Sequence, residues 1–511
     1  MQSISISRFI ILLLGIFYAI YILIEAITSR TSVLGKLYLY IAIAAFLTGL
    51  LKPRVAIFVL IFCTAYIDFF KRLMVIAGEP TNVDLIYSLA TPPLLCAGAM
   101  INLMLSAVMG KIEVTRSLIS TFVFACGVMF TAVVTSTGEG ARSFGGLVNF
   151  AAYPFLLVLI PVFFKKTADK VRLMKFIYIL FIGVALYMIK HGLYGLADFE
   201  YAYLLTNLSQ EVRILVEGEN MRCFSTMNGA GIVSVMCALM FFWSFASVWK
   251  PSYLMAFIRW CLAAIFATAC YLTLSRTGWL CGIVSCVAYL LFRNWKTTVT
   301  AYSVGIFAVV TLVVCSPLIK DMKLLDKAEM QMKYLLKGND SRLEQATTIG
   351  SFNGRLDGWV NLMTKDHMLT PFGWKFDGQD FKDFDLTDLG DDIIFWSVVK
   401  YGYIPVSLGF LLFIMFLYKL HRFVCSLPFG SNERKISNIC LATSIGIIVG
   451  GIGNAAQLSV FPVNIYFYLC LAFVYSIYLE NKLASKNLVT EDDTQWGGNL
   501  LPEAQNNPLR A

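Results

Sequence analysis

Five charged residues in this sequence stand where a charge needs a reason: Arg222, Arg276, Arg355, Asp391 and Asp392. Arg276 sits in Leu272-Thr273-Leu274-Ser275-Arg276-Thr277-Gly278-Trp279-Leu280, with apolar sequence on both sides. A charge near membrane depth costs about 2.5–3.5 kcal/mol on insertion scales, so it pairs with something, faces a cavity, or snorkels from a helix end to the interface. Arg222, in Met221-Arg222-Cys223-Phe224-Ser225-Thr226-Met227-Asn228-Gly229, is expected to open another helix on the same side, and Arg355 lies in a long polar stretch. A guanidinium is a planar fork that matches phosphate oxygens and keeps its charge, so three around one site suit a pyrophosphate. Taken singly, each also suits a surface ion pair, Arg355 beside Asp357 most of all.

The aspartates suggest a different task. Asp383, Asp385, Asp388, Asp391 and Asp392 close the polar stretch, and Asp392 leads directly into Ile393-Ile394-Phe395-Trp396. A carboxylate at that point is placed to act as a general base toward a bound hydroxyl, with Lys400 and Tyr401 as partners further along. Asp391 fits equally a charge that favours a helix start. There is no DxDxDG loop, no CxxC pairing and no His/Cys cluster, so neither a metal nor another cofactor is expected.

The elements that must position these residues are membrane helices. The 511 residues are 58% apolar and only 14% charged, with a mean hydropathy of +0.72, whereas soluble domains carry about a quarter charged residues. The fold class expected is an all-α polytopic membrane protein with about fourteen transmembrane helices. Apolar segments of spanning length fall near 9–27, 33–51, 55–70, 85–109, 117–136, 147–164, 171–189, 226–248, 258–275, 277–292, 297–316, 393–418, 436–454 and 462–481. Each must be helical, because lipid offers backbone N–H and C=O groups no partner. The first lacks a small-residue cleavage site at its end and is read as a retained helix. Residues 1–486 therefore form one membrane domain, and the polar residues 487–511 a disordered tail.

Between the eleventh and twelfth spans lies the long polar loop, Pro317 to Asp391, with ten Lys or Arg residues. Met322, Leu325, Ala328, Met332 and Leu335 recur at helical spacing, predicting a surface helix, and a second short helix is expected over 354–365. Trp359, Phe372, Trp374 and Phe376 predict that the loop packs over a cavity rather than standing free in solvent. The thirteen cysteines lie mostly inside apolar runs and read as small core residues. The net charge of +9 gathers at span ends, which is a topology signal and not a nucleic-acid footprint. Lys52, Arg54, Lys111, Arg116, Lys165, Lys166, Lys250, Arg293, Lys419, Arg422, Arg434 and Lys435 share one side if the chain alternates from a cytoplasmic N-terminus. Both termini are then cytoplasmic and the long loop extracytoplasmic.

Leu274-Ser275-Arg276-Thr277-Gly278-Trp279-Leu280 resembles the Ser-Arg-(Ser/Thr)-Gly segment of the superfamily of O-antigen ligases and Wzy-type polysaccharide polymerases. The resemblance continues in order through Arg355…Trp359, His367-Met368-Leu369-Thr370-Pro371-Phe372-Gly373-Trp374, and Asp391-Asp392 leading to Lys400-Tyr401-Gly402-Tyr403-Ile404-Pro405. Upstream, Arg222…Asn228-Gly229 resembles the family's Arg-x-x-(Gly/Ser)-x-x-x-Asn helix start; the match covers about residues 215–415. It implies a metal-independent membrane glycosyltransferase acting on undecaprenyl-pyrophosphate-linked glycan at the outer face of a bacterial inner membrane. Arg222, Arg276 and Arg355 would hold the pyrophosphate and Asp392 or Asp391 would serve the acceptor. A flippase and a chain-length regulator (co-polymerase) would be partners. Ligases of the family carry a histidine where the loop re-enters the membrane; here Gly390-Asp391-Asp392 stands there, which favours a polymerase over a ligase moving glycan onto lipid A core or protein. A lipid-linked-sugar flippase is the reading from another class, and the absence of internal repeats in the sequence counts against it.

Overall fold

The computed structural model describes residues 32–78, 80–136, 152–206, 216–217, 220–221, 223–246, 253–273, 275–293, 370–373, 398, 401–453 and 461–497. These are helical almost throughout. In chain order the helices are α1 (Val33–Leu51), α2 (Pro53–Leu73), α3 (Asn82–Val108), α4 (Arg116–Ser136), α5 (Leu156–Phe163), α6 (Thr167–Tyr194), α7 (Asp198–Leu205), α8 (Ala230–Phe245), α9 (Tyr253–Leu272), α10 (Arg276–Arg293), α11 (Tyr403–Ser426), α12 (Asn432–Gly453) and α13 (Val463–Gly497). Short 3-10 turns extend α2 (Met74–Ala77) and precede α5 (Tyr153–Phe155). A two-residue antiparallel ladder pairs β1 (Val216–Glu217) with β2 (Asn220–Met221). Among the described residues seven helices are long and apolar enough to cross a membrane: α1, α2 with its extension, α3, α6, α9, α11 and the Val463–Lys482 part of α13. The expected spans at 9–27 and 297–316 and the loop helices at 322–337 and 354–365 lie outside the described residues.

The stripe on α6 organises the bundle. Lys170, Leu173, Met174, Ile177, Tyr178, Phe181, Val184, Ala185, Met188 and His191 are its buried residues, a repeat of three and four that puts all of them on one face. From Lys170 to His191 the helix rises about 32 Å at 1.5 Å per residue, close to the ~30 Å thickness of a hydrocarbon core. The interior of the stripe is apolar apart from Tyr178, which hydrogen-bonds Ser244; each end carries a buried ionisable group. Backbones approach closely where small residues allow: a Cβ at Gly49 of α1 would run into the Leu95 carbonyl of α3, and one at Gly98 into the Phe46 carbonyl. α11 lies differently, with Leu408, Phe410, Leu411, Leu412, Ile414 and Met415 all exposed, a surface suited to lipid.

Helix ends sort onto two faces. On one, which we call the basic face, Arg54 Nε donates to the Phe163 carbonyl at 2.8 Å, Thr167 Oγ1 donates to Glu433 at 3.0 Å, and Lys170 Nζ lies 2.7 Å from Glu480. On the opposite face, Arg72 at the end of α2 meets Glu200 of α7, and His191 at the end of α6 meets the same carboxylate. This is the pairing that strict alternation of spans requires.

One expectation is corrected. The helix expected to open at Arg222, a residue outside the described ones, begins only at Ala230, with Gly229 in the N-cap position; Cys223–Met227 are buried in a loop that leads to it. Ser225, Thr226 and Asn228 supply local hydrogen-bonding groups that compete with helix formation, and Ser225 takes a left-handed φ of 55°. Helix α13 runs as far as Gly497; no Pro or Gly interrupts it before the Gly497-Gly498 pair. The described cysteines are all free, most of them buried in helices, with Cys261 and Cys425 exposed.

Candidate functional site

The densest group of buried charge lies on the face opposite the basic one, at the ends of α2 and α6. Arg72 is 3% exposed and Glu200 0%. The Arg72 side chain leans back toward the N-terminus of its helix, as helical side chains do, and its Nε donates to the Asp68 carbonyl one turn earlier. Nη1 donates to Glu200 Oε1 at 2.5 Å, and Nη2 donates to the Ser225 carbonyl at 2.6 Å and the Met227 carbonyl at 3.1 Å. Phe224 lies against the guanidinium, 4.5 Å from its carbon to the ring centre.

Glu200 is the hub on the other side. It sits in the first turn of α7 and accepts from the Ala197 backbone N–H at 3.1 Å, one half of a capping box. Its Oε2 lies 2.7 Å from His191 Nε2; an ionised carboxylate can only accept, so that nitrogen carries the proton. The Tyr187 hydroxyl also bonds it. Burial opposes the charged carboxylate, but the His191 bond, the Arg72 charge and the Ala197 N–H together outweigh it. Glu200 therefore titrates below the ordinary carboxylate range. Asp68, 3.9 Å from Lys71, accepts from the Asn228 backbone N–H. Asp68 and Glu200 thus face Lys71 and Arg72 in a balanced set, with the His191 ring edge between Tyr187 and Phe224. His191 Nδ1 is buried with no hydrogen-bond partner among the described residues.

The loop these groups hold is re-entrant. Ser225 Oγ donates to the Val184 carbonyl and Thr226 Oγ1 to the Ala65 carbonyl, each at 2.6 Å. Val184 lies seven residues before His191, and Ala65 seven before Arg72, so the loop reaches about 10 Å down the helices at 1.5 Å per residue. Non-helical backbone at that depth is tolerated only when protein satisfies its polar groups.

Of the sequence-predicted site residues, Arg222, Arg355, Asp391 and Asp392 lie outside the described residues. Arg276 is the first residue of α10, described by its backbone alone. The motif around it has a clear packing role. Ser234, in the second turn of α8, donates to the Ser275 carbonyl at 3.1 Å, and a Cβ at Gly278 would collide with Ser234 backbone and side chain. The Ser275–Gly278 segment therefore docks on the helix that follows the re-entrant loop. A third motif also has a contact. Tyr403 N donates to the Thr370 carbonyl and Ile404 N to the Pro371 carbonyl, both at 3.2 Å. Gly402, at φ 85°, comes so close to Pro371–Gly373 that a Cβ there would run into the Pro371 carbonyl. This much of the long polar stretch, Thr370–Gly373, is packed on the start of α11.

Sequence reasoning missed Asp68, Lys71, Arg72, His191 and Glu200. A signal was present: Asp68-x-x-Lys71-Arg72 puts acid and base one turn apart at a span end that the charge rule assigns to the outer side. Beside this cluster, Val75, Ile76, Ala197, Asp198, Phe199 and Ala202 line an open, mainly apolar hollow of about 520 Å³.

The class these features define is a helical membrane protein with a buried ion network and a re-entrant loop on one face. No protein-family model matches the sequence, and no curated protein does.

Proposed function

We propose that the protein is a polymerase of polyprenyl-pyrophosphate-linked oligosaccharide repeat units, working at the outer face of a bacterial inner membrane. In this reading the chain spans the bilayer about fourteen times, the basic face and both termini are cytoplasmic, and the ion-network face is the reaction face. The acceptor hydroxyl attacks the anomeric carbon of the lipid-linked glycan. The new C–O bond forms as the bond to the pyrophosphate oxygen breaks, the pyrophosphate leaves with the electron pair, and the hydroxyl proton passes to Asp392. Arg222, Arg276 and Arg355 stabilise the charge that develops on the leaving group.

The observation that supports this most is the docking of the Ser275–Gly278 motif on Ser234 of α8. It seats one segment that the family resemblance singles out, at Ser275–Gly278, on the helix that continues from the other, which ends at Gly229. The positive-inside pattern of the basic face agrees with it.

The test is gel analysis of surface glycan in a deletion strain complemented with variants. Loss of the polymerase leaves single repeat units on the acceptor; long glycan stranded on the polyprenyl carrier indicates a ligase instead, and unchanged glycan removes both. Arg276→Lys is expected to lose nearly as much chain formation as Arg276→Ala, because a point charge does not reproduce the planar fork. Full activity of the lysine variant refutes the arginine's part in the mechanism.

A further inference from the structure

The ion network and the re-entrant loop form one mechanical unit. Cys223, Phe224, Ser225, Thr226 and Met227 are all buried, at 0–3% exposure, in a segment with neither helix nor strand to absorb its carbonyls. One Arg72 nitrogen, Nη2, caps two of these carbonyls at once, Ser225 and Met227, while Nη1 is tied to Glu200 and Nε to its own helix. Four of the five N–H groups that a guanidinium offers are thereby committed, and the facing charges balance. Arg72 is therefore poorly placed to grip a ligand and well placed to hold backbone. What it holds is strained: Ser225 keeps a left-handed φ of 55° that a residue with a Cβ adopts only under constraint. The loop follows Arg222 directly in the chain and runs into α8, whose Ser234 carries the Ser275–Gly278 contact.

We propose that Arg72 is a positioning residue for the reaction face: by clamping Ser225 and Met227 it fixes the re-entrant loop, and through the loop it fixes the start of α8 on which the Arg276 motif docks. The clamp stands on the structure alone; its value for polymerisation rests on the function proposed above. Lysine cannot replace it, because three donors on one nitrogen do not span two carbonyls and a carboxylate.

The native Cys223 thiol reports on the loop independently of activity. Full-length protein in membranes is treated with N-ethylmaleimide, and modification of the Cys223 peptide is followed by mass spectrometry, with Cys270, also buried, as internal control. Wild type is expected to protect Cys223, and Arg72→Lys to label it at least about tenfold faster through local opening, with Cys270 unchanged and polymer lost at normal protein level. Protection of Cys223 in Arg72→Lys overturns the clamp. Labelling with undiminished polymer overturns the positioning role. Should Arg72→Lys fail to insert, Arg72→Gln, uncharged and too short to reach both loop carbonyls and Glu200, is read in its place and is expected to label Cys223 at least about tenfold faster; protection of Cys223 there overturns the clamp. If deletion of the gene leaves glycan unchanged, the polymerase fails, while the labelling result still decides whether the clamp exists.

Discussion

The buried lysine on the basic face yields an asymmetric prediction. Lys170 is 0% exposed and has two partners, the Lys165 carbonyl at 2.6 Å and Glu480 at 2.7 Å; the Glu480 side chain is 34% exposed and also accepts from Ser476. Removing Glu480 leaves an ammonium buried with one carbonyl, and breaking a buried pair in that way costs about 3–5 kcal/mol. Removing the lysine is different. In Lys170→Met the stem volume is kept, Glu480 turns its exposed oxygen to water, and the Lys165 carbonyl at the exposed helix start is hydrated. Replacing a buried charge by an apolar side chain of similar size then costs about 1 kcal/mol or less. The two variants should differ by about 3 kcal/mol, roughly 150-fold in the folding equilibrium at 1.36 kcal/mol per decade. Unfolding in mixed micelles, titrated with denaturing detergent and read by tryptophan fluorescence, compares Glu480→Ala with Lys170→Met, and the double variant should match Lys170→Met. Equal losses, or a larger loss for Lys170→Met, would refute the view that desolvation of the lysine dominates this pair.

Acid should weaken the opposite face. Because the folded Glu200 carboxyl titrates below its ordinary value, it stabilises the fold above the ordinary carboxylate range, and the contribution is lost as pH falls through the lower, folded value. Protection of Cys223 should hold from pH 8 to 5 and fail only below about 4; the groups that face the Glu200 carboxyl are His191, Arg72, Tyr187 and the Ala197 N–H, and an acid limb unchanged in Glu200→Gln would assign the loss elsewhere. Gly402→Ala, which forces a Cβ into the Pro371 carbonyl at a positive φ, should cost about 1 kcal/mol or more and speed protease cleavage near Thr370–Gly373; a wild-type digestion rate would show that this contact does not hold the segment. Asp392→Asn should abolish polymerisation at normal protein level while Asp391→Asn is tolerated, and normal long chains from Asp392→Asn would remove the base from the mechanism.

The helices were legible and the loop between them was not. Apolar length located α1 to the residue, α10 to within one, and α6, α9 and α12 to within five, because a bilayer sets both the length and the composition of what crosses it. The charge rule also anticipated which helix ends meet, as Arg54 with Phe163 and Lys170 with Glu480 show. Hydropathy cannot separate a buried irregular segment from a helix. Cys223–Gly229 adjoins an apolar run and looked like its first turn, and only the Ser225 and Thr226 bonds to Val184 and Ala65 define its real path. The ion network is hidden for another reason: Arg72 and Glu200 are 128 residues apart, and no local spacing announces such a pair. Position alone made Arg276 conspicuous, whereas the packing of Gly278 on Ser234 joins two helices and leaves no mark on the spacing of either.

The two ends of the α6 stripe carry charge for different purposes. At Lys170 a single buried cation meets a carboxylate that keeps contact with water, on helices that satisfy their own backbone. At His191 the carboxylate is fully buried, and an arginine, a histidine, a tyrosine and a backbone N–H converge on it. Regular helices need no such network to fill their hydrogen bonds. Among the described residues only the second end has irregular backbone to support, five buried residues drawn into the bundle with one of them in a left-handed conformation. Replacing so many buried polar groups by apolar ones would often stabilise a protein, but here it would strand the carbonyls of Ser225 and Met227. The network is therefore explained by the loop, and the loop serves no structural need that a tight turn between helices would not meet. On physical grounds, the face that carries it is where function should be sought.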